Sequence, residues 1–301
     1  MSKIAAFYYT QTGQGRTILE SICRPLAAAG HEVIYKKIVP KTNYPFPWSA
    51  NSFFQAFPES REGIPCLIEE MNLNDAADAE LVIVAYQPWF LSPSIPILGF
   101  FRDAAIRQYL NGKRIVTVNG CRNMWIMAQA KVKSYIAECG GMLVGNIVLQ
   151  DHHANLLSVI TIVRWLLYGK KEKTGLFPVA GVSPEDIDHA RVFGEVISES
   201  LATSGISTLQ EKLLQQGAVR YKPSIAFIER TGHRIFGFWA KWILRKGAYG
   251  TVNRAFRLKL FMYYLFFVLY VVSPVGLCFF YLTYPFRYKA IRRDRQIQCD
   301  V

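Results

Sequence analysis

Acidic residues are almost missing from the last 85 positions of this 301-residue chain: residues 217–301 hold three Asp/Glu against 15 Lys/Arg. Residues 1–216 hold 19 against 20, so nearly all of the net charge of +13 sits at the C-terminal end. Such a basic region serves nucleic acid or an anionic membrane surface. A second absence decides between them. No charge of either sign occurs from Leu260 to Phe286, 27 residues rich in Phe, Tyr, Leu and Val. That exceeds the ~20 residues needed to cross a bilayer core, and aromatic residues stand at both ends, where headgroups lie. The reading is a segment that meets an anionic membrane surface and the lipid bilayer, with nucleic acid excluded as a partner.

Other absences narrow the chemistry. The six cysteines (Cys23, Cys66, Cys121, Cys139, Cys278 and Cys299) show no Cys-x-x-Cys spacing. This fits a reducing compartment and speaks against a zinc site or a disulfide framework. The chain has no Gly-x-Ser-x-Gly elbow, no His-Glu-x-x-His and no Ser-His-Asp arrangement. It has neither the spacing of a Walker A loop nor that of a Gly-x-Gly-x-x-Gly turn. No internal repeat or low-complexity tract interrupts it. Ser2-Lys3 leads directly into an apolar run with no signal peptide before it, so the polar part is expected on the cytoplasmic side.

What the chain does have begins at that run. Ile4 to Tyr8 is followed by Tyr9-Thr10-Gln11-Thr12-Gly13-Gln14-Gly15-Arg16-Thr17 and then by the helix-like Ile18 to Ile22. A strand, a hydroxyl- and glycine-rich turn and a helix start make an anion site. Unpaired backbone N–H groups point outward, Thr hydroxyls add donors, and glycine allows close approach. Residues 10–15 are therefore the candidate phosphate cradle.

Downstream, strand-like and helical patterns alternate. Strands are expected at Lys3–Tyr9, His31–Lys37, Ala79–Tyr86, Arg114–Asn119 and Met142–Gln150. Leu81-Val82-Ile83-Val84-Ala85 is apolar throughout, as a strand covered on both faces should be. Helices are expected at Gly15–Ala28, Pro65–Asn72, Ile97–Leu110, Met124–Cys139 and Pro184–Ala202. The last has Ser183 as N-cap, Pro184 at its first position and Asp186 closing a capping box. The pattern predicts an α/β fold with a doubly wound parallel sheet, which binds ligands at the carboxyl ends of its strands. Residues 1–216 form this domain, interrupted by an insertion at 152–182 that leaves the sheet at the ligand end and is placed as a lid or a lipid-facing helix. Residues 217–301 form a basic helical extension.

The strand ends carry further candidates. After the third strand, Gln87-Pro88-Trp89-Phe90-Leu91-Ser92-Pro93-Ser94-Ile95-Pro96 has three prolines in nine residues, a stiff loop with little entropy to lose. Pro88, Trp89, Phe90 and Leu91 can flank a flat ring. After the fourth, Asn119-Gly120-Cys121-Arg122-Asn123 combines close backbone approach with polar donors and a cation. The fifth ends in Asp151-His152-His153. Asn123, Asp151 and His152 are candidate acid/base or positioning groups. No metal site is expected, because adjacent histidines on a strand face opposite ways.

The phosphate loop resembles that of flavodoxin-like proteins, which implies FMN as cofactor and a strand order of 2-1-3-4-5. More specifically, the loop through Gln14, the stretch at 87–96 and Asp151 resemble the dialkylresorcinol-condensing (aromatising) enzymes of bacterial dialkylresorcinol and flexirubin-type pathways. Gln14-Gly15 departs from the Asn-Thr common in flavodoxins, which removes a hydroxyl contact. The resemblance implies a flavin-dependent oxidoreductase that aromatises a lipophilic dialkyl cyclohexanedione beside a ketosynthase-like partner, on the cytoplasmic face of the bacterial inner membrane. A two-hydrogen oxidation needs an acceptor such as a flavin, and a substrate with alkyl chains partitions into lipid at ~0.8 kcal/mol per CH₂. An NAD(P)H:quinone-type reductase and a non-catalytic electron carrier or scaffold remain the alternatives. For the apolar segment, Ser273-Pro274-Val275-Gly276 is expected to break the helix into halves of ~13 residues, each too short to span. With basic residues on both flanks, a re-entrant hairpin or monotopic anchor is favoured over a single span.

Overall fold

The computed structural model describes residues 1–203 and 205–301. Its centre is a five-stranded parallel sheet: β1 (Lys3–Tyr8), β2 (Glu32–Lys37), β3 (Leu81–Tyr86), β4 (Arg114–Cys121) and β5 (Met142–Gln150). The strand order is β2-β1-β3-β4-β5, as expected. Every residue of β3 is buried, which explains its unbroken apolar run. On one face lie α1 (Gln14–Ala28), α8 (Pro184–His189), α9 (Arg191–Ala202) and α10 (Leu209–Gln215), packed through Ile18, Ile22, Ile197 and Leu209. On the other lie α4 (Ile95–Arg102), α5 (Ala104–Leu110) and α6 (Ile126–Glu138), packed through Ile97, Phe100, Ile106 and Val132.

Three helix expectations are corrected. Residues 65–72 are extended: Lys41 N donates to Leu67 O and Glu69 N to Val39 O, both at 2.8 Å. Gly99 permits this path, because a Cβ there would stand 2.4 Å from Cys66 O. The helix expected over 97–110 is two, since Asp103 is extended (φ −66°, ψ 133°) and caps α5 by accepting from Ile106 N at 3.1 Å. The stretch 184–202 likewise divides at Ala190, although the Ser183 cap forms as expected, accepting from Asp186 N at 3.0 Å. Two short helices were not anticipated: α2 (Ala50–Gln55), capped by Ser49, and α3 (Phe57–Glu62), which opens with Pro58. The insertion contains α7 (Asn155–Tyr168).

The extension wraps this body. Helix α11 (Pro223–Leu244) packs on α3, with Phe236, Ala240 and Ile243 against Phe57. Its Glu229 is fully buried and caps α6, accepting from Met127 N at 2.8 Å. The apolar segment is not broken at 273–276. Helix α12 (Ala255–Phe267) continues through a π-helical turn (Val268–Val272) into α13 (Ser273–Cys299). Pro274 lacks an N–H and would crowd the carbonyl of residue 270 in a regular helix, and the widened π turn just before it absorbs that conflict. Both ends of this helix rest on the same body. At its start Phe261 stacks on Phe57 at 3.7 Å; at its end Gln210 Nε2 donates to Cys299 O at 2.7 Å and Lys133 Nζ to Asp300 O at 2.9 Å. The hairpin expected from the sequence is therefore replaced by one long helix lying along the domain. Its outer face carries an exposed apolar stripe that includes Phe256, Tyr263, Phe267, Val275, Leu282 and Phe286.

Candidate functional site

Three loops at the carboxyl edge of the sheet converge on one cavity of about 300 Å³. The first loop follows β1. Gly13 sits in the left-handed region at φ 86°, where a side chain is strained, and its carbonyl accepts from Arg16 N and Thr17 N to start α1. Thr10 Oγ1 accepts from Gly15 N at 3.2 Å, and a Cβ on Gly15 would stand 3.3 Å from that hydroxyl. Among the described residues nothing accepts from the backbone N–H groups of Thr12, Gly13 or Gln14. Those donors, at the start of a 15-residue helix, form a cradle suited to a phosphate.

Some side chains expected in the cradle are engaged elsewhere. Thr10 closes the loop. Gln11 donates to Tyr44 O and Pro45 O, each at 2.8 Å, and accepts from the Tyr9 hydroxyl. Gln14 pairs with both backbone groups of Val182, at 2.9 and 3.1 Å. Thr12, Gln14 and Gly15 line the cavity, so the cradle consists of backbone N–H groups and Thr12. Gly181 belongs to this arrangement and was missed. It has φ 83°, and a Cβ there would meet Gln14 Oε1 and the Trp165 ring, each at 2.7 Å.

The second loop is a tight hairpin, with Pro88-Trp89 paired antiparallel to Ser92-Pro93. At its tip Phe90 (φ 48°) and Leu91 (φ 63°) both adopt the left-handed conformation. For bulky residues this costs roughly 1–2 kcal/mol each. The surroundings hold them there: Ser60 Oγ shares its proton between Trp89 O (2.8 Å) and Pro93 O (3.0 Å), and the Phe90 ring packs on Phe53 at 4.8 Å. All four residues from Pro88 to Leu91 line the cavity. Trp89 is fixed edge-to-face against Tyr44 and Trp48, each at 5.3 Å.

In the third loop Gly120, Cys121 and Arg122 reach the cavity, together with Met124. Arg122 Nη1 donates to Ser158 Oγ on α7 at 3.2 Å, tying the loop to the insertion. Burial lowers the Arg122 guanidinium to about 10, opposed by the charge of nearby Asp151, so it stays a cation at neutral pH. Burial pushes the Cys121 thiol up, leaving it neutral.

The other candidates lie outside the cavity. Asn119 is consumed by a buried network, donating to Tyr86 Oη at 3.0 Å, which in turn donates to Gln129 Oε1 at 2.5 Å. Asn123 is buried and does not line the cavity. Asp151 is buried and holds His153, accepting at Oδ1 from His153 N at 2.9 Å with Nδ1 at 2.6 Å. His152 turns outward, its Nε2 lying 3.0 Å from Arg220 Nη1 and 3.4 Å from Asp186. Neither Asp151 nor His152 lines the cavity, so direct acid/base contact by either is not what this geometry provides.

The roof combines the insertion, expected as a lid, with two helices of the extension that sequence reasoning did not place there. Val159, Ile162 and Leu166 of α7, Ile228 and Phe236 of α11, and Leu265, Phe266 and Leu269 of the long helix close over the three loops. Among the described residues, the ionisable side chains in the lining are Cys121 and Arg122. The cavity is thus an anion cradle joined to an apolar chamber. The free N–H donors, the aromatic hairpin and the single cation fit a mononucleotide with a flat ring.

No family model and no curated protein matches the sequence. Among solved structures, an archaeal flavodoxin superposes with TM-score 0.39 at 13% identity, over 66% of this chain and 99% of its own. A flavoprotein from Lactobacillus acidophilus NCFM, solved in complex with FMN, gives TM-score 0.39 at 12% identity over 49% and 93%. A putative flavoprotein from Bacteroides eggerthii gives 0.38 at 17% identity over 50% and 89%.

Proposed function

We propose that this protein is an FMN-dependent oxidoreductase that works on a neutral lipophilic ring at a membrane surface. The carrying observation is one cavity in which backbone N–H donors at a helix start face an apolar chamber roofed by a helix with an exposed apolar outer face. When bound, FMN would supply a two-electron acceptor. The chain's own residues would do the rest. The N–H groups of Thr12, Gly13 and Gln14 hold the phosphate, and the strained Trp89–Leu91 hairpin positions the ring. Arg122 offsets negative charge beside it, and α7, α11 and α12 exclude water.

The near-absence of ionisable side chains from the lining favours an uncharged substrate, such as a dialkyl cyclohexanedione undergoing aromatisation. It weighs against the NAD(P)H reductase reading, since a second, multiply anionic nucleotide would find only Arg122 to meet its charge. Thr12→Asp is expected to abolish flavin retention, read as loss of flavin absorbance in the purified protein. Full occupancy in that variant would show that residues 10–15 are not the cradle. Purified wild-type protein that neither contains nor takes up FMN would favour the scaffold reading.

The membrane part of the proposal is an in-plane orientation on the cytoplasmic face, where a ketosynthase-like partner can also reach the site. A long helix with one apolar face and basic flanks lies at the interface and binds through buried apolar area and attraction to anionic lipid. Replacing Phe267, Leu282 and Phe286 together by Ser is expected to lower co-sedimentation with anionic vesicles at least tenfold while leaving flavin content unchanged. Undiminished vesicle binding would remove the stripe from this role.

A further inference from the structure

A second cavity, of about 290 Å³, lies between α11 and α13 and shares no lining residue with the first. Its walls are Phe227, Arg230 and Arg234 from α11 and Phe280, Arg287 and Asp294 from α13. The floor is aromatic, with the Phe227 and Phe280 rings 5.6 Å apart. One acid and three guanidinium groups face it. The acid is spent: Asp294 takes a bidentate pair from Arg230, both contacts at 2.6 Å, and a hydrogen bond from the Tyr221 hydroxyl.

Arg234 and Arg287 have no carboxylate partner among the described residues. Arg287 lies over the Phe227 ring with its guanidinium carbon 5.3 Å from the centroid, a cation–π contact at the edge of the aromatic floor. A guanidinium in such a contact keeps its N–H donors for a planar or tetrahedral oxyanion, and Arg suits such bidentate recognition. Exposed Phe279, Leu282 and Phe286 of α13 neighbour Phe280 and Arg287 along the same helix.

We propose that this cleft binds the phosphate-bearing headgroup of an anionic phospholipid, with Arg234 and Arg287 on the phosphate and the proximal acyl chain on Phe227 and Phe280. Two unpaired cations over an aromatic floor, beside an exposed apolar stripe, match an anionic amphiphile in both charge and polarity. Neither feature alone would call for one. The proposal adds a defined lipid site to the in-plane orientation described above, and it stands or falls separately from that orientation.

The test uses the full-length protein and dihexanoyl phosphatidylglycerol below its critical micelle concentration, titrated by calorimetry. Saturable binding of one lipid per chain is expected, weakened at least tenfold in Arg234→Gln/Arg287→Gln and partly restored in Arg234→Lys/Arg287→Lys. Thermal unfolding and flavin content of each variant report whether it is folded. The Phe267/Leu282/Phe286 serine variant is expected to keep this binding even where vesicle association is lost, which separates the headgroup site from the stripe. Equal lipid affinity in the glutamine variant would overturn the proposal. So would displacement by inorganic phosphate at concentrations equal to the lipid's, which would identify a free-phosphate site, or equal binding of dihexanoyl phosphatidylcholine.

Discussion

Arg254→Ala is expected to destabilise the protein by about 3–5 kcal/mol, the range for removing one partner of a buried ion pair. Arg254 has no exposed surface, and its guanidinium makes a bidentate pair with Glu59 of α3 at 2.6 and 2.9 Å plus a hydrogen bond to Gln55 O at 3.1 Å. The variant leaves the Glu59 carboxylate buried without its cation. It also releases the start of the long helix from α2 and α3, and with it part of the cavity roof. The loss should therefore appear both as a lower urea midpoint and as weaker flavin retention. Replacing both partners with apolar residues, as in Glu59→Leu/Arg254→Met, should restore most of the stability, because no charge is then left buried. A single variant within about 1 kcal/mol of wild type would show that this pair does not anchor the extension.

Glu229 sets the second large effect, a dependence of stability on pH. Burial raises its carboxyl from 4.5 to about 7, against the opposing pull of the backbone N–H groups of Met127, Ile126 and Trp125 that it caps. The folded protein thus holds this proton more tightly than the unfolded chain. The resulting stabilisation is fully present below pH 4.5 and is lost as pH rises through about 7, a change of roughly 3 kcal/mol. Glu229→Gln keeps an oxygen for the Met127 N–H and removes the titration. The wild type should be less stable at pH 8 than at pH 5 by most of that amount, and the variant should show a flatter profile. Urea unfolding at the two pH values reads both. An unchanged slope in the variant would assign the pH dependence to other groups.

Local sequence carried the sheet because each strand's burial is written in its own residues. Leu81–Tyr86 is covered on both faces and is apolar at every position. The turn at residues 10–15 was legible for the same reason, since Gly13 is needed where the backbone turns left-handed and the helix start lies next to it in the chain. The side-chain roles were not. Gln11 and Gln14 look like ligand donors in sequence, yet they bond to backbone at Tyr44, Pro45 and Val182, partners 33 to 168 residues away. His152 and Asp151 sit at the right strand end, but Asp151 is buried against His153 and His152 is drawn outward between Arg220 and Asp186.

The long helix shows the same division. Its uncharged length and basic flanks follow from composition alone. Its shape does not. Ser273-Pro274-Val275-Gly276 reads as a break because proline removes a hydrogen bond and glycine weakens a helix, both local penalties of up to a few kcal/mol. Packing of α12 and α13 along α11, anchored by Arg254 at one end and by Asp294 and the Cys299 carbonyl at the other, outweighs that penalty and leaves only a π turn as its trace. The sequence by itself determined the parallel sheet, the glycine turn that starts α1 and the existence of an apolar surface segment, because these depend on residues adjacent in the chain. Only the tertiary structure decided that the extension joins the insertion over the cavity, which side chains are left to line it and which face of the last helix stays bare, because those outcomes depend on packing energies summed over contacts between distant parts of the chain.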